Sequence, residues 1–195
     1  MLTNKIHVKK VRIEKVCVKK VRGFTLTELL TSVVIVTLLA SVGLPSSVRL
    51  LQHEQLVAAS NELLTHVYLA RSTAAQYRTV ATLCPAPARV SDERCGIDWN
   101  AGYRVFADRN GNALLNTPDD TLVAQVADDP STTIAWRSFR RLSYLQFDAT
   151  GVTRALNGSF ILCRPSTPAI ERKIIVNIAG RARIQRFRPG VSPDC

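Results

Sequence analysis

Four arginines crowd the end of the sequence: Arg181, Arg183, Arg186 and Arg188. A guanidinium keeps its charge and donates two parallel hydrogen bonds, a fork that suits phosphate oxygens. Gly180 supplies a turn just ahead of them, and strand alternation puts Arg181 and Arg183 on one face. Arg186 and Arg188 face the other way if the strand runs on straight. Arg172 and Lys173 begin the preceding apolar strand and widen the patch, and Arg140 and Arg141 are further candidates. Contacts made this way are to the backbone of a polyanion, weakly selective for sequence and strongly salt-dependent. Only Phe187 interleaves the arginines, so base stacking is not expected. The plainer reading is a solvated cationic face, or one that pairs with acids of a neighbouring subunit.

Other constellations carry less. Asp108, Asn110 and Asn112 have the first three ligand spacings of a calcium loop. The glycine stands at 111, however, and position 119 is an aspartate where such a loop has glutamate. Asn110-Gly111 is also a strong turn signal, so a turn is expected and no metal. Of the three histidines, His53 and His66 lie on a helical pattern, and His66, near Leu63 and Ala70, reads as packing. There is no Gly-x-Ser-x-Gly elbow and no glycine-rich phosphate loop. No catalytic residues and no cofactor are expected, and the chain does not read as an enzyme.

These groups must be positioned by something. An apolar run extends from Phe24 to Val48 and holds one charge, Glu28. It is long enough to cross a bilayer, which takes about 20 residues. Lys19, Lys20 and Arg22 hold its N-terminal flank on the cytoplasmic side. Glu28 would cost roughly 2.5–3.5 kcal/mol at a bilayer centre and less near the edge. Beyond Pro45, expected to bend or locally break the helix, Leu56, Ala59, Leu63, Val67, Ala70 and Ala74 recur at helical spacing. After Tyr77 the pattern turns to short strands near residues 79–84, 102–107, 121–127, 132–137, 144–148, 159–164, 173–178 and 182–187, separated by turn signals. The fold class is α+β: one long N-terminal helix, transmembrane in its first half, packed on antiparallel sheets.

The stretch Lys19–Pro45, with Gly23, Phe24 and Glu28 in fixed order, resembles the class III signal of type IV pilins and pseudopilins. The resemblance implies cleavage after Gly23 by a prepilin peptidase and N-methylation of Phe24. It also implies that Glu28 meets the N-terminal amine of a neighbouring subunit during assembly. The apolar segment is then retained as an anchor, consistent with the absence of Ala-x-Ala after Val48. The expected organisation is a leader (1–23), a membrane and assembly half-helix (24–48), an amphipathic half-helix (49–78) and a β-rich domain (79–195).

Removing the leader changes the arithmetic. The net charge of +11 falls to about +4, because the leader holds eight Lys or Arg and one acid. What remains is uneven: residues 137–195 hold eleven basic and three acidic residues, an electrostatic footprint at one end. Cys17 is lost as well, leaving Cys84, Cys95, Cys163 and Cys195, an even number for an oxidising compartment. Four cysteines allow three pairings. Local spacing favours Cys84–Cys95 and Cys163–Cys195.

Several segments are similar to the GspH/FimT family. They are Cys84-Pro85, the run Trp99–Asp108, and the tail from Cys163 through Lys-Ile-Ile-Val-Asn-Ile-Ala-Gly-Arg-Ala-Arg to Cys195. The family includes the minor pilin FimT and secretion pseudopilin H. Membership implies a subunit of the bacterial inner membrane with a periplasmic domain, whose partners are other pilin subunits. Gly180-Arg181-Ala182-Arg183 resembles the element of FimT proteins that bind double-stranded DNA in natural transformation. The alternative is pseudopilin H, a structural subunit of a type II secretion pseudopilus.

Overall fold

The computed structural model describes residues 23–89, 92–116, 118, 120–154, 157–164 and 171–186, without the side chains of 42–46, 48, 49, 171 and 186. The chain divides into two units, Met1–Pro45 and Ser46–Cys195.

One helix, α1 (Leu26–Tyr77), belongs to both. Thr25 caps its start: the hydroxyl accepts from the Glu28 amide at 3.3 Å and the carbonyl from the Leu29 amide at 3.1 Å. The Thr25-x-x-Glu28 spacing is that of a capping box, and an acid in the first turn suits the positive end of the helix dipole. In the first unit Leu26, Leu29, Leu30, Val33, Val34, Ile35, Val36, Leu38 and Leu39 are all exposed. Among the described residues no helix is long and apolar enough to cross a membrane. The helical backbone continues through Pro45, so the expected local break is absent. A proline removes one amide donor, and the bonds of the flanking turns hold the helical path. The helix ends where Arg78 takes φ +52° and the Thr79 amide bonds back to Ala74 at 3.1 Å, a left-handed C-terminal cap.

In the second unit the helix buries one stripe, Leu56, Leu63, Val67, Ala70 and Ala74. Among the described residues eight strands follow: β1 (Val80–Pro85), β2 (Tyr103–Asp108), β3 (Thr121–Val126), β4 (Thr133–Ser138), β5 (Leu145–Phe147), β6 (Gly158–Cys163), β7 (Glu171–Val176) and β8 (Ala182–Arg186). They form two antiparallel sheets, ordered β3-β2-β1-β5 and β4-β6-β7-β8. Both sheets share one core with the helical stripe: Leu83, Val105, Leu145 and Phe147 from the first, Phe160, Leu162, Ile174 and Val176 from the second. The architecture is the expected α+β, a helix packed on antiparallel sheets.

The segment after β1 ties the sheets together. Trp99 packs edge-on against Phe160 at 4.8 Å, and its indole donates to the Ser143 carbonyl at 3.1 Å. The Asn100 side chain accepts from the Ile134 amide at 2.7 Å and so fixes the start of β4. Gly102 has φ +89°, and a Cβ there would run into the Val126 carbonyl, so the chain enters β2 only with glycine. Burial, with the charge of Glu62 adding to it, holds the Tyr103 phenol above its ordinary range.

Candidate functional site

The basic tip is built by the β7–β8 hairpin. The Asn177 carbonyl accepts from Gly180 N at 2.9 Å and the Asn177 amide donates to Arg181 O at 3.1 Å. Its side chain accepts from Arg181 N at 2.9 Å. Three bonds within five residues make this a defined turn, closed by the Val176–Ala182 pair. The tip is also docked: both the amide and the hydroxyl of Thr153 donate to Ile178 O at 3.0 Å. The loop carrying Thr153 is held by Asp148, which accepts from the Thr150 hydroxyl at 2.5 Å and from the amides of Thr150 and Val152. The Thr150 hydroxyl first, then those amides and the Arg154 charge, hold the Asp148 carboxyl below the usual range against the opposing effect of desolvation.

Arg181 and Arg183 are both exposed and flank buried Ala182. Arg181 precedes the strand and belongs to the turn, so its exposure comes from the hairpin tip and not from strand alternation. Ala182 faces inward, where its carbonyl accepts from the Tyr68 hydroxyl at 2.6 Å. Lys173 lies on the face opposite buried Ile174. Arg172 does not join the solvent-facing patch: it is half-buried and donates to the Ser60 hydroxyl at 3.0 Å. Adjacent strand residues face opposite sides, so one of the pair had to turn toward the helix. Arg186 ends β8 opposite Arg172, with its side chain not described, and Arg188 lies outside the described residues. Arg140 and Arg141 are exposed in the turn after β4.

Gly180 sets the tip. Its φ is +72°, and a Cβ would run into the Gly151 carbonyl oxygen and meet Arg71 Nε at 3.3 Å. Gly180→Ala is therefore expected to destabilise the domain by about 1–3 kcal/mol. A thermal melt checks this; an unchanged midpoint would show that the tip relaxes freely.

Elsewhere the residues have structural work. Cys84 and Cys95 form a disulfide with a Cα–Cα distance of 5.7 Å. Cys163 is also disulfide-bonded, and Cys195, the partner expected for it, lies outside the described residues. Asp108 is buried and accepts from Thr82, Gln146 and the amides of Asn112 and Ala113, so its segment is a turn. Among the described residues no cluster of His, Cys, Asp or Glu is arranged for a metal. The His66 ring approaches the Glu62 carbonyl at 2.9 Å and Tyr103 edge-on at 5.4 Å between centroids, as a packing residue. Two residues were not singled out from the sequence: buried Arg104, and Phe139, 84% exposed. Strand parity within Tyr103–Asp108 would have located the first. The interleaving of Phe139 with Arg137, Arg140 and Arg141 would have marked the second.

At the N-terminal site Gly23 and Phe24 are exposed ahead of the helix. Every side-chain hydroxyl described in the following stretch has a local partner. Thr25 and Thr27 pair at 3.2 Å, and Thr31, Ser32, Thr37 and Ser41 donate to carbonyls one turn back.

The sequence matches the family described as type II transport protein GspH over residues 59–180 and the prokaryotic N-terminal methylation motif over residues 18–44. No curated protein matches it significantly. Among solved structures, the type IV minor pilin FimU of Pseudomonas aeruginosa is similar at a TM-score of 0.53 and 17% identity, over 68% of this chain and 89% of that one. A second crystal form of FimU gives 0.50 at 17% identity, over 66% and 90%. The minor pseudopilin EpsH from the type 2 secretion system of Vibrio cholerae gives 0.48 at 8% identity, over 66% and 94%. The FimU likeness is one of fold. The family match covers well over half of the sequence, and the chain belongs to the GspH family of pilin-like proteins, with an N-terminal methylation motif that runs into the first half of its helix.

Proposed function

We propose that this chain is a minor pilin of a type IV pilus that binds duplex DNA non-specifically through Arg181 and Arg183. The precursor sits in the inner membrane as a single-pass protein with its C-terminal domain in the periplasm. A prepilin peptidase cuts after Gly23, and Phe24 becomes the methylated first residue. Assembly proceeds through the first half of α1, with Glu28 meeting the amine of a neighbouring subunit. The exposed apolar side chains and the back-bonded hydroxyls support the membrane reading, because a hydroxyl bonded to its own helix tolerates an apolar surrounding.

The observation that carries the DNA reading is the pair of exposed guanidiniums, Arg181 and Arg183, on a bonded and docked turn. A rigid tip presents two cations to successive phosphates with little ordering entropy left to lose. Binding of this kind is salt-sensitive and indifferent to sequence. The test is retardation of a random-sequence duplex by the full chain in detergent. Arg181→Ala with Arg183→Ala is expected to lose retardation, and the slope of log affinity against log salt to become shallower by about two. A folded double variant with unchanged affinity would overturn the reading. Deletion separates the pilus role from the pseudopilus role: DNA uptake stops in the first and exoprotein secretion in the second.

A further inference from the structure

The outer face of the second sheet carries a second kind of chemistry. Ile174, Val176 and Ala182 point into the core, and Trp136 stacks on Phe160 at 4.2 Å between centroids. Alternation therefore turns Arg137 of β4, Lys173 and Ile175 of β7 and Arg183 of β8 to the opposite face. The register pairs Arg137 with Ser159, Ser159 with Ile175, and Ile175 with Arg183. These four residues form one row across the sheet. With strands about 4.8 Å apart, the cations at its ends are separated by about 14 Å.

Beside this row lies a depression of about 490 Å³, lined by Arg137, Phe139, Ser159, Lys173, Ile175 and Ile178 among others, none of them acidic. Phe139 stands at its rim, 84% exposed. Its backbone is not loose: the Phe139 amide donates to Asn157 O at 3.2 Å, and Arg141 N closes the turn on Ser138 O at 3.1 Å. An aromatic ring held out to solvent by a fixed turn, next to a cationic strip, has the parts of a stacking platform with a phosphate track. A duplex hides its base faces and cannot use the ring. A single strand offers both a base face and a flexible phosphate backbone.

We infer that this face binds single-stranded DNA, with Phe139 stacking on a base and Arg137, Lys173 and Arg183 lining the phosphate backbone. The inference rests on the reading of this chain as a DNA binder and adds a strand state and a second contact set. Its test uses the full chain in detergent with two labelled probes, an oligothymidylate and a random-sequence duplex. Phe139→Ala is expected to weaken oligothymidylate binding roughly 5- to 150-fold and to leave duplex binding unchanged. Phe139→Trp restores binding, and its fluorescence is quenched by the oligonucleotide, as stacking requires. Equal oligothymidylate affinity for Phe139→Ala overturns the inference, as does an equal loss on both probes. Defective filament assembly with intact oligothymidylate binding overturns it too and gives the face to a neighbouring subunit. If duplex retardation survives loss of Arg181 and Arg183 while Phe139→Ala still loses the single strand, the duplex reading fails and this one stands.

Discussion

Replacing Arg104 with leucine is expected to destabilise the β-domain by about 3 kcal/mol or more, since each hydrogen bond to a charged group contributes roughly 1.5–3 kcal/mol. The side chain is 3% exposed and lies on the face of β2 that also carries Phe106 and Asp108. From there it donates to three carbonyls in one loop: Asp92 at 3.1 Å, Glu93 at 2.6 Å and Arg94 at 2.8 Å. Its guanidinium stands 5.6 Å from the Phe106 ring, and burial lowers its pKa below the ordinary value. The same loop is stapled at Cys95 to β1. Arg104 and the disulfide thus fix one loop from two sides, and that loop covers the outer face of the first sheet. Lysine cannot substitute, because its ammonium offers no planar fork to three carbonyls. For a domain of this size the loss corresponds to a melting point lower by about 6–12 °C. Arg94→Ala, at an exposed position, is expected to stay within about 0.5 kcal/mol. Equal melting points for the two variants would show that the loop is held by the disulfide alone.

The elements were legible in the sequence because each announces itself locally. The helical stripe at Leu56, Leu63, Val67, Ala70 and Ala74 follows a period of three or four, and it is buried as that period requires. Each of the eight strands among the described residues is a short apolar or β-branched run closed by a turn, and each forms within two residues of its expected limits. What local pattern does not carry is partnership. β4 and β5 are consecutive, yet they lie in different sheets, because Trp99 and Asn100 reach across and hold β4. Pairings of that kind join residues far apart in sequence, and no periodicity records them.

The placement of the candidate residues was legible to the same extent. A glycine before two alternating arginines reads as a turn and an exposed pair, and both guanidiniums are exposed. Charge alone groups Arg172 with the patch, whereas strand parity separates it: its neighbour Lys173 faces out, so Arg172 turns in toward Ser60. Phe139 lies two residues from Arg137, so the sequence already sets those two together. The three-dimensional register is what brings Lys173 beside them. Arg104 and Asp108 look like surface charges until the alternation of Tyr-Arg-Val-Phe-Ala-Asp is taken seriously. Two charges then share one face of a wholly buried strand and must have dedicated partners.

Asp108→Asn follows from that last point and is expected to destabilise by about 2–4 kcal/mol, the consequence of losing charge-assisted bonds and facing a donor with a donor. One carboxylate oxygen, Oδ2, accepts from Thr82 Oγ1 at 2.7 Å, Gln146 Nε2 at 3.0 Å and Ala113 N at 2.9 Å. The other, Oδ1, accepts from Asn112 N at 3.1 Å. An asparagine must set its NH2 against one of these donor sets, and its least damaging orientation opposes the Asn112 amide. Nor are the neighbouring oxygens of the calcium-like spacing turned toward a common centre. Asn110 Oδ1 accepts from Asn112 N at 3.1 Å, and Asn112 Oδ1 accepts from Leu114 N at 2.8 Å. Each side chain folds back on the loop that carries it, so the segment is held by its own amides. The expected result is therefore a wild-type melting point indifferent to calcium or chelator, and an Asp108→Asn variant that melts lower in both. A calcium-dependent rise in the wild type that Asp108→Asn removes would instead make this loop a cation site.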